Sequence, residues 1–235
     1  QLTTLDISNN QLQTLNDSIG LLTQLAIFFC SNNQLSSIPN SIGGLSQLTY
    51  LDVSSNRIRA FPSSIGQCGK LTIVKAQNNS MVDISQLTSP NLGFIDISNN
   101  DLTAIPPQVT SISALQFLNA SYNQLTDFLH IDRAVCNLGT LVLNHNLIST
   151  FSSGATWSFA CLRARLELNY NRLSDMNVVS KIISTFVPEK LFLSHNLLAG
   201  NFYPDRLQQL FLNELDLSGT SLCFYFLSHA TASDQ

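Results

Sequence analysis

Apolar side chains recur along this chain at a regular interval and do not form long runs. Nine asparagines mark the interval, and successive ones lie 23, 23, 23, 21, 23, 23, 25 and 25 residues apart. They are Asn10, Asn33, Asn56, Asn79, Asn100, Asn123, Asn146, Asn171 and Asn196. Thr220 follows 24 residues later in the place of a tenth anchor. Self-similarity at such a period predicts a stacked repeat architecture.

Each copy follows the pattern L-x-x-L-x-L-x-x-N-x-L, as in Leu48, Leu51, Val53, Asn56 and Ile58. The L-x-L alternation predicts one short strand per repeat with its apolar side chains on one face. Stacked strands would form a parallel sheet with neighbours about 4.8 Å apart. Because an asparagine side chain both donates and accepts hydrogen bonds, the anchors are expected to bond their own turn and the next one. This ladder should end where threonine replaces asparagine.

The segments that return from one strand to the next carry a second pattern, I-P-x-x-I-G, in the first repeats. Proline followed by serine and glycine favours turns and very short helices. From about Asp127 the return segments lengthen and lose this pattern. Residues 175–186 then have apolar side chains at helical spacing, which predicts a helix covering the core on the convex side.

This repeat resembles the leucine-rich repeat family, in its 23-residue class, over residues 1–223. The resemblance implies an α/β fold: a right-handed solenoid, or horseshoe, of about ten repeats. It implies a concave parallel sheet and a convex side of turns, 3₁₀ pieces and short helices. Residues 224–235 are expected to form a C-terminal cap or tail. The sequence begins within a repeat, so we expect an N-terminal portion to precede it in the natural protein.

The composition and the missing sequence motifs exclude several classes of function. Only 11% of residues are charged and the net charge is −4, whereas nucleic-acid binders normally carry a basic surplus. No apolar run approaches the roughly 20 residues that span a bilayer. P-loop, nucleophile-elbow and H-E-x-x-H motifs are absent from the sequence, so we expect no catalytic residue, cofactor or metal. Aspartates that recur with the period, such as Asp52 and Asp96, are interpreted as structural.

Candidate binding residues occupy the outward positions of the first strands. Six large apolar residues form what we call the apolar stripe: Ile27, Phe29, Tyr50, Ile73, Phe94 and Phe117. An exposed patch of several hundred Å² often marks a binding site, and central aromatic residues often dominate binding energy. The alternative is that these side chains simply pack against one another across neighbouring strands.

A second candidate set lies one residue before four successive anchors, and we call it the ring stack. Its members are Tyr122, His145, Tyr170 and His195. The two histidines should lie about 10 Å apart, too far to share a zinc ion, so we expect an interface contribution or ordinary surface packing. The outward positions of the later strands hold charged residues of both signs. These residues could form the polar rim of an interface or a face that only contacts solvent, and the sequence is compatible with either.

The cysteines and glycosylation sequons leave the compartment open. Cys30 and Cys68 occupy apolar positions of the repeat and are expected in the core, while a Cys136–Cys161 disulfide is conceivable. An odd cysteine count favours a reducing compartment, here the cytoplasm. The three sequons at Asn16, Asn78 and Asn119 do not exceed the number expected by chance.

The sequence therefore predicts a non-enzymatic module that binds a protein partner through its concave face, without nucleic acid or membrane insertion. Its resemblance to intracellular scaffold and signalling members of the family favours a role in intracellular signalling or scaffolding. Two alternatives stay open, an extracellular recognition ectodomain of a receptor and a regulatory array within a larger signalling enzyme.

Overall fold

The computed structural model of the chain describes residues 2–127, 137–150, 165–186, 188–202 and 212–224. In these residues, ten parallel strands form one sheet in which the neighbours follow the order of the chain, except that β11 pairs with β9. The strands of this sheet are β1 (Thr4–Asp6), β2 (Ile27–Phe29), β3 (Tyr50–Asp52), β4 (Ile73–Lys75), β5 (Phe94–Asp96), β6 (Phe117–Asn119), β7 (Thr140–Val142), β8 (Arg165–Glu167), β9 (Lys190–Phe192) and β11 (Glu214–Asp216). The intervening β10 (Ala199–Phe202) pairs in parallel with β12 (Ser221–Phe224) in a second, two-stranded sheet.

Every strand of the large sheet has three residues, and its central side chain points into the core. From Phe28 to Leu191 these central residues are fully buried, while the residues on either side of each are partly or fully exposed. The leucines and isoleucines that flank each strand complete one continuous core along the solenoid. The predicted alternation of the L-x-L segment is therefore confirmed, and the outer face of every strand is left for other contacts.

The anchor asparagines form the predicted ladder. Asn123 is buried, and its amide nitrogen donates to the carbonyls of Ile97, Ala120 and Ser121 at 3.0–3.2 Å. Its amide oxygen accepts from the backbone N–H of Leu102 at 3.0 Å. One side chain thus satisfies buried backbone groups in two adjacent repeats, which would otherwise lack partners where the strands end.

The ladder ends as predicted at Thr220. Its hydroxyl donates to the Leu217 carbonyl of its own turn at 2.7 Å. A hydroxyl has one hydrogen to donate, so the bridging role of the asparagines stops at Asn196.

The described part of the convex side consists of turns, 3₁₀ helices and short α-helices, as predicted. Three 3₁₀ helices (Asp17–Leu21, Asn40–Gly44 and Ser63–Gln67) are followed by the single-turn α1 (Pro107–Thr110) and by α2 (Met176–Phe186). Glycine lets the 3₁₀ helices approach closely, because a Cβ on Gly20 would collide with the carbonyl oxygen of Ser41. On α2, Val179 and Ile182 are buried against the core, so this helix covers the core where the return segments are longer.

Candidate functional site

The apolar stripe runs across β2 to β6. Ile27, Tyr50, Ile73, Phe94 and Phe117 are direct cross-strand partners in successive pairs, and Phe29 lies two residues beyond Ile27 on the same face. All six side chains are half-buried. The sheet therefore brings together the residues that the sequence places in separate repeats.

Contacts within the stripe account for part of this burial. The rings of Phe94 and Phe117 stack with centroids 4.4 Å apart and an interplanar angle of 2°. Those of Phe29 and Tyr50 are tilted by 55°, with centroids 5.2 Å apart. Side-to-side packing thus occurs, as the structural alternative predicts, yet the outer surface of each side chain is still available to a partner.

Lys75 extends the stripe with a positive charge. Its Nζ lies 5.8 Å from the ring centroid of Tyr50, within cation–π range. The pKa of Lys75 is raised above its ordinary value, mainly by a hydrogen bond to Tyr50 and further by the negative charges of Asp52 and Asp96. Lys75 is therefore held charged at the centre of the candidate site.

The aspartates beside the stripe stabilise turns. Asp52 Oδ1 accepts hydrogen bonds from the backbone N–H of Ser54 at 2.9 Å and from its hydroxyl at 2.6 Å. Asp96 Oδ1 makes the same pair with Ser98 at 3.0 and 2.7 Å. In β6 the equivalent residue is Asn119, whose Oδ1 accepts from Ser121 in the same way. An amide oxygen can therefore accept these turn hydrogen bonds in place of a carboxylate oxygen, and the bonds do not need a negative charge.

The ring stack lies at the carboxyl rim of the sheet, three residues beyond the ends of the strands β6 to β9. Tyr122 and His145 have ring centroids 4.1 Å apart, His145 and Tyr170 4.2 Å, and Tyr170 and His195 4.3 Å. The interplanar angles are 9–12°, so the four rings are stacked continuously, one on the next. Tyr122 and Tyr170 are 50% and 46% exposed, so the ring stack is accessible to solvent along its outer edge.

The backbone of the ring stack is unusual for aromatic residues. All four members have φ between 53° and 55°, in the left-handed region. In earlier repeats this position holds Asn9, Asn32, Ser55, Asn78 and Asn99, also at positive φ, and in the last repeat it holds Gly219. The sequence interpretation missed this conformation, although the preference for asparagine and glycine at the position is its signal.

Gly219 closes the ring stack. A Cβ at this residue would lie 2.5 Å from Nδ1 of His195, so the histidine ring rests directly on the glycine backbone. Burial and the charge of His195 lower the pKa of His145, which lies between the two tyrosine rings. The inner histidine therefore favours its neutral form.

Charges on the later strands pair mainly with one another. Arg165 Nε lies 2.5 Å from Glu167 Oε1, and its guanidinium lies over the ring of Phe192, 4.6 Å from the centroid. Lys190 Nζ lies 2.8 Å from Glu214 Oε2. This half of the sheet presents ion pairs, in contrast to the apolar surface of the first half.

Residues for redox or metal chemistry are not brought together in the described parts of the chain. There, no group of three or more His, Cys, Asp or Glu side chains could hold a metal ion. Cys30 and Cys68 are buried as predicted, and burial raises the pKa of their thiols to about 12 and about 11. Cys136, Cys161 and the predicted cap at 224–235, apart from the end of β12, lie outside the described residues. No helix in the described ranges has the length and apolar character needed to cross a membrane.

Comparison with known proteins identifies the fold. Residues 1–58 match the family model described as leucine rich repeat. A comparison with curated protein sequences finds no match. The ten-strand parallel sheet, together with the solved structures described next, confirms the predicted right-handed leucine-rich repeat solenoid as the fold.

Three solved structures illustrate the likeness. The chain is similar to a chain of the LRIM1/APL1C complex, with a TM-score of 0.79 and 20% identity over 97% of this chain and 41% of that one. It is similar to the plant peptide hormone receptor RGFR1 in complex with RGF2, with a TM-score of 0.68 and 23% identity over 96% and 43% of the two chains. It is also similar to internalin C2 from Listeria monocytogenes, with a TM-score of 0.67 and 23% identity over 82% and 80%. The chain thus spans less than half the length of the first two.

Proposed function

We propose that this chain is a leucine-rich repeat protein and a non-enzymatic interaction module, whose concave sheet binds a polypeptide partner against the apolar stripe. The observation that carries the proposal is the contiguous row of six large, partly exposed apolar side chains on five adjacent strands. Monomeric proteins rarely expose contiguous apolar patches of more than a few hundred Å² unless the patch is functional. Aromatic residues such as Tyr50 and Phe94 at the centre of this row have the chemistry of interface hot spots.

The distribution of charge over the sheet supports the same location. On the later strands the charged groups already pair with one another, so a partner would have to break those pairs to use them. On β2 to β6 a partner would instead bury apolar surface, which is the main source of association free energy. The ring stack extends the proposed contact surface along the carboxyl rim.

Paired charge substitutions test the proposal. Tyr50→Glu with Phe94→Glu places two negative charges in the apolar stripe, and we expect this variant to lose every partner captured through the stripe. Leu21→Glu with Val82→Glu is the matched control, because both residues are exposed and lie outside the strands of the sheet. Affinity capture followed by mass spectrometry compares the two variants with the wild type, and thermal unfolding confirms that each one folds.

The sets of captured partners decide the outcome. Partners enriched by the wild type and the control but absent from the stripe variant support the proposal. An unchanged set of partners with the stripe variant would overturn it, since a binding surface cannot accept two buried charges without a large loss of affinity.

We further propose intracellular scaffolding or signalling as the setting, with the cytoplasm as the compartment. The support is that Cys30, Cys68 and Cys223 are free thiols among the described residues. A receptor ectodomain would instead carry glycans, and the exposed Asn16 leaves its amide nitrogen available because only its oxygen caps the first 3₁₀ helix. The mass of the natural protein before and after N-glycosidase treatment separates the two settings, and a loss of glycan mass would contradict the cytoplasmic one.

A further inference from the structure

Two carboxylates border the apolar stripe at its centre. Asp52 and Asp96 lie on β3 and β5 at the same register, with Lys75 between them on β4. Neighbouring strands are about 4.8 Å apart, so the two aspartates are about 10 Å from each other. Both are half-buried beside Tyr50 and Phe94, close enough to act on whatever covers those rings.

The turn contacts leave part of each carboxylate available. The hydrogen bonds from Ser54 and Ser98 all reach Oδ1. Asp96 Oδ2 accepts a long bond of 3.4 Å from Asn119, and Asp52 Oδ2 accepts none from the described residues. These second oxygens are strong acceptors at the edge of an apolar surface.

Lys75 does not neutralise them by direct pairing. Among the described residues, the ion pairs Arg165–Glu167 and Lys190–Glu214 lie on the later strands, and none within 4.0 Å joins Lys75 to Asp52 or Asp96. Lys75 instead lies over Tyr50, and its Nζ is 5.8 Å from the centroid of the tyrosine ring. The outward positions of the first six strands carry Asp6, Asp52 and Asp96 against this single lysine, which leaves an acidic excess next to the apolar stripe.

We propose that the partner of the apolar stripe is a basic polypeptide segment, in which aromatic or aliphatic side chains are flanked by arginine or lysine. The inference rests on the proposed function. The apolar side chains cover Tyr50 and Phe94, and the cationic groups bond Oδ2 of Asp52 and Asp96. Charge complementarity selects this partner, because an acidic segment would bring like charges together beside a desolvated surface.

The chain itself supplies a substitution that removes the charge and keeps the turn. Asn119 occupies the same position on β6 and accepts the same two bonds from Ser121. Asp52→Asn with Asp96→Asn should therefore preserve the fold while removing both negative charges. Asp83→Asn with Asp175→Asn is the matched control, because these aspartates accept turn hydrogen bonds from the backbone N–H groups of Ser85 and Asn177 away from the concave sheet.

The probe is a random linear peptide library selected on the immobilised full chain. Affinities of the selected peptides are then measured by fluorescence polarisation against the wild type, the two asparagine variants and Tyr50→Glu with Phe94→Glu. We expect selected peptides to combine apolar residues with arginine or lysine. Their affinity should fall about tenfold with Asp52→Asn and Asp96→Asn, a few-fold for each charge pair, and should not change with the control.

A double-mutant cycle makes the test specific. A selected peptide whose arginine or lysine is replaced by glutamine should bind the wild type and the Asp52→Asn, Asp96→Asn variant equally well. Peptides that depend on Tyr50 and Phe94 but ignore Asp52 and Asp96 would overturn this inference and leave the proposed function standing. Failure to select any peptide that depends on Tyr50 and Phe94 would count against both.

Discussion

Replacing His145 with asparagine would remove one ring from the middle of the ring stack while keeping a residue that suits the backbone. His145 has a φ of 55°, and Asn9, Asn32, Asn78 and Asn99 adopt nearly the same angle at the equivalent position. Non-glycine residues in the left-handed region are strained, and asparagine is among those that tolerate it best. The substitution therefore isolates the contribution of the stacked rings from that of the backbone.

The size of the effect follows from the two stacking interactions that the substitution removes. His145 stacks on Tyr122 at 4.1 Å and on Tyr170 at 4.2 Å. Aromatic pairs contribute about 0.5–1.5 kcal/mol each beyond their buried area, so the free energy of unfolding should fall by about 1–3 kcal/mol. For a chain of this size that corresponds to a decrease in Tm of roughly 2–12 °C. Tyr122→Asn, which removes one of these interactions, should cost about half as much.

Calorimetric unfolding of the purified chain measures the change, and hydrogen exchange of residues 140–146 shows whether the loss is local. Ser55→Asn is the control, since Ser55 has the same left-handed φ in a repeat without rings. His145→Asn with Tyr170→Asn should be less destabilising than the sum of the single variants, because the two residues stack on each other. A Tm equal to that of the wild type for His145→Asn would refute a stabilising role for the stack.

Two further predictions concern the ladder and acid pH. Asn123→Ala removes four hydrogen bonds and leaves buried backbone groups such as the Leu102 N–H without a partner, so the free energy of unfolding should fall by about 3 kcal/mol or more in denaturant titrations. Asn10→Ala, at the exposed first anchor, should cost clearly less, and an equal cost would contradict the role assigned to burial. Because burial and the charge of His195 lower the pKa of His145, the folded state binds fewer protons than the unfolded state below the ordinary histidine pKa of about 6.5. The free energy of unfolding should therefore decrease as the pH falls from about 7.5 to about 5.5, and it should decrease less in His145→Asn. If the free energy of unfolding depends equally on pH in the wild type and in His145→Asn, a group other than His145 is responsible.

The repeat pattern was sufficient to predict the architecture because its interactions are local or strictly periodic. Alternation within L-x-L decides which side chain of a strand enters the core, and it does so in each repeat independently of the others. The donor and acceptor groups of asparagine predict the bridging bonds of Asn123 and the end of the ladder at Thr220 in the same way. Each of these predictions is confirmed residue by residue.

The arrangement of side chains on the outer surface of the sheet depends on interactions between residues about 23 positions apart, and the pattern alone could not supply it. The sequence identified the apolar stripe but did not show that Phe94 and Phe117 stack, or that Lys75 lies over Tyr50 and does not pair with its aspartate neighbours. It located the ring stack without the left-handed backbone that carries it. Stacking of the repeats places these side chains about one strand spacing apart. Only at that distance do the energies of ring stacking, ion pairing and solvent exposure differ enough to decide which contact each side chain makes.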